Sequence, residues 1–133
     1  MLLVDTNVLL DVLQDDPQWA EWSIRQLRAQ AQLHELAINT VIYAELSLSF
    51  STLEGLEDTV ARMELAVVEI PRPALFLAGR AFVAYRRRGG SKTQVLPDFF
   101  IGAHAAVRGW PLLTRDAARF RTYFPTLEVV APA

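Results

Sequence analysis

Two patterns of apolar and polar positions alternate along this chain. Short apolar runs, typical of buried strands, are found at 2–4, 36–38, 67–70, 112–113 and 128–130. Apolar residues at three- and four-residue spacing predict helices at 8–13, 19–33, 41–50, 53–63, 73–88, 97–107 and 117–124. Strands that alternate with helices indicate a mostly parallel sheet covered on both faces. We therefore expect a three-layer α/β/α fold with roughly five strands, formed by a single domain over residues 1–133.

Prolines and glycines mark several of the predicted helix boundaries. Pro17, Pro73 and Pro97 are each expected in the first turn of a helix, where no backbone N–H is needed. Gly109 is expected to end the helix that Pro97 begins, and Gly89 to end the helix before it.

Acidic residues interrupt the apolar stretches at four places: Asp5, Glu45, Asp98 and Asp116. Buried carboxylates are costly unless they are paired, hydrogen-bonded or bound to a metal, and no basic residue lies within a turn of the first three. Asp5 and Asp116 follow predicted strands, so they are expected at the same edge of the sheet. The pattern indicates a divalent cation site, and ligands that are all oxygen favour Mg²⁺ or Mn²⁺.

Each of these acids also has a purely structural explanation. Asp5 and Asp116 could cap helices, and Asp98 could be favoured by the dipole of the helix that it begins. Glu45 could be an ordinary charged residue on a helix face. Capping does not require the four side chains to converge, whereas a cation site does.

The net charge of −2 is unevenly distributed along the chain. Between Glu69 and Asp98 there is no acidic residue, but there are six basic ones: Arg72, Arg80, Arg86, Arg87, Arg88 and Lys92. Such a basic rim beside an acidic pocket is typical of a protein that binds a polyanion. The run at 86–88 could equally be a solvated helix end that complements the helix dipole.

Several classes of protein are excluded or disfavoured by what the sequence lacks. The absence of cysteine excludes disulfides, thiolate catalysis and Cys-based zinc sites, and fits the cytoplasm that we expect. No apolar run approaches the roughly 18 residues needed to span a membrane, and none resembles a secretory signal.

The glycines at 89–90 lack phosphate-loop spacing, and no Gly-x-Ser-x-Gly motif occurs. His104 lies between alanines and is expected to be packed. A phosphoaspartate enzyme would need a second Asp at the position of Asn7.

Taken together, the motifs resemble a known family. Asp5-Thr6-Asn7 after a strand, Glu45 on a helix, Leu96-Pro97-Asp98 and Leu113-Thr114-Arg115-Asp116 are similar to the PIN-domain ribonucleases. More narrowly, they resemble the VapC toxins of type II toxin–antitoxin pairs. The resemblance covers nearly the whole chain.

The resemblance implies functional roles for seven residues. Asp5, Glu45, Asp98 and Asp116 would be catalytic, and Thr6, Asn7 and Thr114 would be supporting residues. Asp5 and Asp98 would hold a first metal ion, Mg²⁺ or Mn²⁺, and Glu45 would orient or deprotonate the attacking water. Asp116 would support a second metal ion. No further acid follows Asp116 until Glu128, so this last metal position is expected to be the weaker one.

The expected function is a metal-dependent endoribonuclease that acts as a toxin. The partners implied are RNA, bound by the basic segment, a cognate antitoxin and a second copy of the chain in a homodimer. The alternative is a non-catalytic PIN-like module that binds RNA or protein. The RNA target, the cleavage context, the antitoxin and the number of metal ions are left open by the sequence.

Overall fold

The core of the molecule is one parallel sheet, seen in a computed structural model that describes all 133 residues. In chain order the strands are β1 (Leu2–Val4), β2 (Leu36–Asn39), β3 (Ala66–Val68), β4 (Leu112–Leu113) and β5 (Val129–Val130). Their spatial order is β3-β2-β1-β4-β5, and every neighbouring pair is parallel. The predicted α/β fold with a five-stranded sheet is therefore confirmed.

Seven helices connect and cover the strands. They are α1 (Thr6–Leu13), α2 (Ala20–Ala31), α3 (Thr40–Ser47), α4 (Leu53–Arg62), α5 (Arg72–Arg87), α6 (Leu96–Arg108) and α7 (Ala118–Tyr123). Pro73 and Pro97 lie in the first turns of α5 and α6, as predicted. The same prediction for Pro17 is wrong, because the Asp16 carboxylate accepts hydrogen bonds from the N–H groups of Gln18 and Trp19 and holds a turn there.

Strand β1 lies at the centre of the sheet and is fully buried along its length. Because helices cover both faces of a parallel sheet, such a strand is apolar at every position rather than at alternate ones. The chain continues from β1 to β2 and β3 on one side and later fills the other side with β4 and β5. The crevice between β1 and β4 is therefore the point where strand order reverses, the usual ligand site in open α/β sheets.

The end of α5 is packed against α6 and α7 through aromatic side chains. The ring centroid of Phe99 in α6 lies 5.6 Å from that of Tyr85 in α5 and 5.2 Å from that of Tyr123 in α7. Behind Phe99, a Cβ atom added to Gly102 would lie only 2.5 Å from the ring of Phe124, so α6 has no room there for a side chain. None of the helices has the length and hydropathy required to cross a membrane.

Candidate active site

Asp5 lies at the carboxyl end of the central strand and is almost fully buried, with 4% of its surface exposed. Its backbone N–H bonds the carbonyl of Leu113 in β4, which holds it against the neighbouring strand. Asp5 is also the N-cap of α1, with Oδ1 accepting a hydrogen bond from the Thr6 N–H at 2.7 Å. The capping explanation is therefore correct for one of its oxygens, and it leaves the other to be explained.

The second oxygen of Asp5 is held by Thr114, which directly follows β4. Because Val4 pairs with Leu113 in the sheet, the next residue of each strand meets at the edge, and Thr114 Oγ1 donates to Asp5 Oδ2 at 2.7 Å. The same hydroxyl accepts from Asn7 Nδ2 at 3.3 Å and from the Asp116 N–H at 3.2 Å. One donor and two acceptor positions are all that a hydroxyl offers, so Thr114 is fully used at this junction.

Glu45 reaches the same edge from α3. This helix begins directly after β2, where the Asn39 side chain caps it by accepting from the Ile42 N–H at 3.0 Å. The half-buried Glu45 carboxylate accepts a hydrogen bond of 2.6 Å from Thr6 Oγ1. Thr6 therefore contacts Asp5 with its backbone and Glu45 with its side chain.

Asp98 lies in the first turn of α6 and has a basic partner that sequence proximity does not indicate. Arg119 Nη1 of α7 donates to Asp98 Oδ2 at 2.7 Å, and about a third of each side chain is exposed. Although no basic residue lies within a turn of the first three acids, each has a hydrogen-bond partner from another part of the fold: Thr114, Thr6 and Arg119.

Asp116 is the exposed member of the group. The N-cap position of α7 is occupied by Ala117, and no side chain caps this helix. The capping explanation for Asp116 is therefore wrong. Its backbone N–H is held by Thr114, while its carboxylate accepts no hydrogen bond.

Electrostatic effects show which of these carboxyl groups are close to one another. Burial raises the pKa of Asp5 to about 7, and the charges of Asp98 and Glu45 add to this, while its two hydrogen bonds oppose it. Burial also raises the pKa of Glu45 and of Asp98. Asp98 is further repelled by Asp116 and is only partly compensated by Arg119. Asp98 is thus within electrostatic reach of Asp5, Glu45 and Asp116.

The donor set at this edge is entirely oxygen, which suits Mg²⁺ or Mn²⁺. Even so, no group of three or more Asp, Glu or His side chains is arranged so that it could hold a metal ion. The carboxylates of Glu45, Asp5 and Asp98 bond to Thr6, Thr114 and Arg119, respectively, and that of Asp116 accepts no hydrogen bond. The donor set therefore suits a divalent cation, while three of the four carboxylates are engaged with protein partners.

The six basic residues of the predicted rim are all exposed, but they do not form one patch. Arg72 begins α5, and Arg86 lies 14 residues later, about 21 Å along the helix axis. Two of the basic residues lie at the aromatic cluster beside Asp98. The Arg88 guanidinium carbon lies 5.2 Å over the ring of Tyr123, which contacts Phe99. The Lys92 backbone N–H donates to the hydroxyl of Tyr85, whose ring also contacts Phe99.

His104 is part of the core and not of the site. It is fully buried, its Nδ1 lies 3.2 Å from Asn39 Nδ2, and its ring lies 5.2 Å from that of Trp110. Burial, and secondarily the charge of Arg108, lowers its pKa to about 4, so the ring is neutral. This agrees with the packed role expected from the sequence.

Comparison with known proteins identifies the family of this chain. The family model described as "PIN domain" matches residues 2–124. The chain belongs to the PIN domain family. A search of curated proteins found no match.

Solved structures share the fold of this PIN domain at low sequence identity. The VapBC2 complex of Rickettsia felis bound to a promoter DNA fragment has 18% identity and a TM-score of 0.75, covering 99% of this chain and 98% of that one. DNA-bound VapBC of Salmonella typhimurium has 21% identity and a TM-score of 0.71, with 98% of each chain covered. A toxin–antitoxin complex of Klebsiella pneumoniae has 24% identity and a TM-score of 0.63, covering 100% of this chain and 98% of that one.

Sequence reasoning missed two arginines around the site of this PIN domain. Arg119 pairs with Asp98, and Arg115 Nε donates to both oxygens of the buried Asp11 at 2.9 and 3.1 Å. No local pattern indicates that Arg119 pairs with Asp98, because the two residues are 21 positions apart. No local pattern indicates the pair of Arg115 with Asp11 either, because these two residues are 104 positions apart.

Proposed function

We propose that this PIN domain is a Mg²⁺- or Mn²⁺-dependent endoribonuclease and the toxin of a toxin–antitoxin pair. The observation that carries the proposal is the environment of Asp5: a buried carboxylate with neutral hydrogen-bond donors and acidic neighbours, at the strand-order reversal of the sheet. Such an arrangement is unfavourable without a cation, and sites with this kind of strain are typically functional.

A divalent cation would remove this unfavourable charge. When bound, it would neutralise the phosphodiester, lower the pKa of a water molecule and orient the reacting groups. Asp5 and Asp98 are the proposed first ligands, since Asp5 is rigidly held between β1 and β4 and repels Asp98. To hold the cation, Asp98 would have to give up its bond with Arg119.

The other residues have distinct proposed roles. Glu45, half-buried and with a raised pKa, is suited to orient or deprotonate the attacking water. Asp116, exposed beside Asp98, would support a second cation. Thr6, Asn7 and Thr114 would keep the carboxylates in place through the hydrogen bonds described above.

RNA binding is proposed for the basic end of α5. Arg86, Arg87 and Arg88 are exposed, and the contact between Tyr85 and Phe99 joins this helix end to the start of α6, where Asp98 lies. A chain of phosphates that binds these arginines would then pass close to the acids. Lys92, whose backbone N–H bonds the Tyr85 hydroxyl, would contribute at the same helix end. Arg72 and Arg80 would contribute at longer range.

The antitoxin partner is proposed from the family resemblance and the toxin–antitoxin complexes with the same fold. A cleft between α2 and α4, lined mainly by apolar side chains including Ile24, Leu27 and Met63, offers a surface for a protein partner. Arg28 lies at this cleft and favours an acidic partner segment, while Arg62 beside it is paired with Asp58. A homodimer and a cytoplasmic location belong to the same proposal.

A second candidate is a non-catalytic PIN domain that binds RNA or protein. One observation favours it: the carboxylates are engaged with Arg119, Thr6 and Thr114, and no three of them form a metal site. Metal-dependent turnover distinguishes the two candidates.

The experiment is cleavage of total RNA by the purified, metal-stripped protein, with and without Mg²⁺ or Mn²⁺. Asp5→Asn should lower cleavage by at least about a hundredfold, more than the loss of an outer hydrogen-bond partner. The matched control is the same change at the exposed Asp15, which lies outside the site. Cleavage that does not depend on metal, or that survives Asp5→Asn, would overturn the proposed mechanism. Neither cleavage nor metal binding by the wild-type protein would favour the second candidate.

A further inference from the structure

Arg119 is the one basic side chain that bonds an acid of the candidate active site. The structure contains three ion pairs, and the other two do not involve these acids: Arg62 pairs with Asp58 on the surface, and Arg115 pairs with the buried Asp11 of α1. Arg119 therefore brings positive charge to a group of four carboxylates that would otherwise repel an approaching phosphate.

The guanidinium of Arg119 has spare capacity. It carries five N–H donors in a planar fork, and a single one, on Nη1, bonds Asp98 Oδ2. The side chain is 30% exposed, so part of it is open to solvent beside the acids. A planar fork with free donors binds phosphate oxygens in pairs, which a lysine ammonium does not do.

Its position on α7 connects the acids with the basic end of α5. Arg119 and Tyr123 are four residues apart, and residues at this spacing lie on the same face of a helix. The Arg88 guanidinium carbon lies 5.2 Å over the Tyr123 ring. Tyr123 therefore lies between Arg119 and Arg88 on the surface, and the two arginines offer successive positive charges to a polyanion.

We propose that Arg119 binds the RNA phosphate that enters the acid site, exchanging its bond to Asp98 for bonds to a phosphate oxygen. This inference rests on the proposed nuclease function and adds a substrate-binding residue to it. In the free protein Arg119 compensates Asp98. With RNA bound, it neutralises the phosphate, and Asp98 is released for a cation.

The test measures RNA binding in an Asp98→Asn background, where the ion pair no longer exists. The probe is a fluorescent 12-nucleotide single-stranded RNA of mixed sequence, with Mg²⁺ present and RNA integrity checked on a gel. Arg119→Gln should weaken binding by about tenfold, the loss typical of a charge-assisted hydrogen bond. The matched control is Arg121→Gln, which removes an exposed charge from the same helix and should cost about twofold.

A second arm uses wild-type Asp98 and measures cleavage. Arg119→Gln should raise the RNA concentration needed for half-maximal cleavage, and Arg119→Lys should restore only part of the loss. Equal binding by Arg119→Gln and Arg121→Gln in the Asp98→Asn background would overturn the inference, because Arg119 would then act only as the partner of Asp98.

The outcomes separate this inference from the proposed function. Wild-type cleavage together with equal binding by the two variants would leave the nuclease standing and remove Arg119 from it. No wild-type cleavage together with selective weakening by Arg119→Gln would refute the nuclease and support an RNA contact in a binding module. No cleavage and no selective weakening would refute both.

Discussion

Two buried carboxylates at opposite ends of α1 are held in contrasting ways. Asp11 is 2% exposed, and both its oxygens bond Arg115 Nε, with a further bond of 2.8 Å from Ser23 Oγ. Asp5 is 4% exposed, but its donors are the neutral Thr6 N–H and Thr114 hydroxyl, and its nearest charges are acidic. Burial alone therefore does not show whether the charge of a carboxylate is compensated within the protein.

Asp5 and Asp11 differ in the source of the positive charge that compensates each carboxylate. Asp11 is neutralised within the protein, so its pair connects the segment after β4 to α1 and α2. At Asp5 the fold supplies hydrogen bonds and no cation, which leaves the charge to be compensated from outside. A buried charge of this kind is destabilising by itself and is retained where a ligand makes use of it.

The largest expected effect is that of Asp5→Asn on the free energy of unfolding of the metal-free protein. The folded pKa of about 7 lies above the unfolded value of 3.8, so stability is lost as pH rises from 3.8 through about 7. Asp5→Asn should remove this loss and stabilise the protein at pH 8 by up to about 4 kcal/mol, with little effect at pH 4. Urea unfolding at both pH values measures it.

The matched control for this prediction is Asp11→Asn. It should destabilise the protein at pH 8, because it deprives the Arg115 guanidinium of its countercharge. If Asp5→Asn also destabilised the protein at pH 8, Asp5 would be a compensated structural carboxylate, and the contrast would disappear.

Breaking the internal pair should have the next largest effect. Arg115→Ala leaves the Asp11 charge buried and uncompensated, and the free energy of unfolding should fall by about 3 kcal/mol, the lower part of the range for such pairs because Arg115 is 32% exposed. Arg119→Ala is the control, and it should cost less than about 1 kcal/mol because both members of its pair are about a third exposed. Equal losses in thermal unfolding would contradict the distinction.

Added metal should supply the positive charge that the protein itself does not place next to Asp5. Mn²⁺ at a hundred times its dissociation constant should raise the free energy of unfolding at pH 8 by about 2.7 kcal/mol, and a chelator should reverse this. The gain should be lost in Asp5→Asn and retained in Asp11→Asn. A gain of the same size in both variants would place the bound ion away from Asp5.

The smallest effects should come from the two hydroxyl groups. Thr114→Val removes the hydroxyl that lowers the pKa of Asp5, so the pKa should rise further, and stability at pH 8 should fall by about 2 kcal/mol. Ser23→Ala should cost about 1 kcal/mol, since Arg115 still compensates Asp11. Carbon-13 NMR titration of Asp5 and urea unfolding measure the two effects. An unchanged Asp5 pKa in Thr114→Val would contradict the role given to this hydroxyl.

Much of the fold was predictable because its signals are local. The apolar run at 2–4 and the prolines that begin α5 and α6 depend on near neighbours, and their structural consequences were predicted correctly. Pro17 was misleading because the Asp16 side chain forms a turn that outcompetes the helix start. The sequence also indicated that Asp5 and Asp116 lie at one edge, since the ends of parallel strands meet there.

The sequence by itself determined the strand and helix pattern, the position of the acids at strand and helix ends, and their oxygen-only chemistry. Tertiary structure alone decided how each charge is compensated. It placed Arg119 on Asp98 across 21 residues and Arg115 on Asp11 across 104, and it gave Asp5 only neutral donors. The physical reason is that the energy of a buried charge depends on distances of a few ångströms, which are set by packing rather than by separation along the chain.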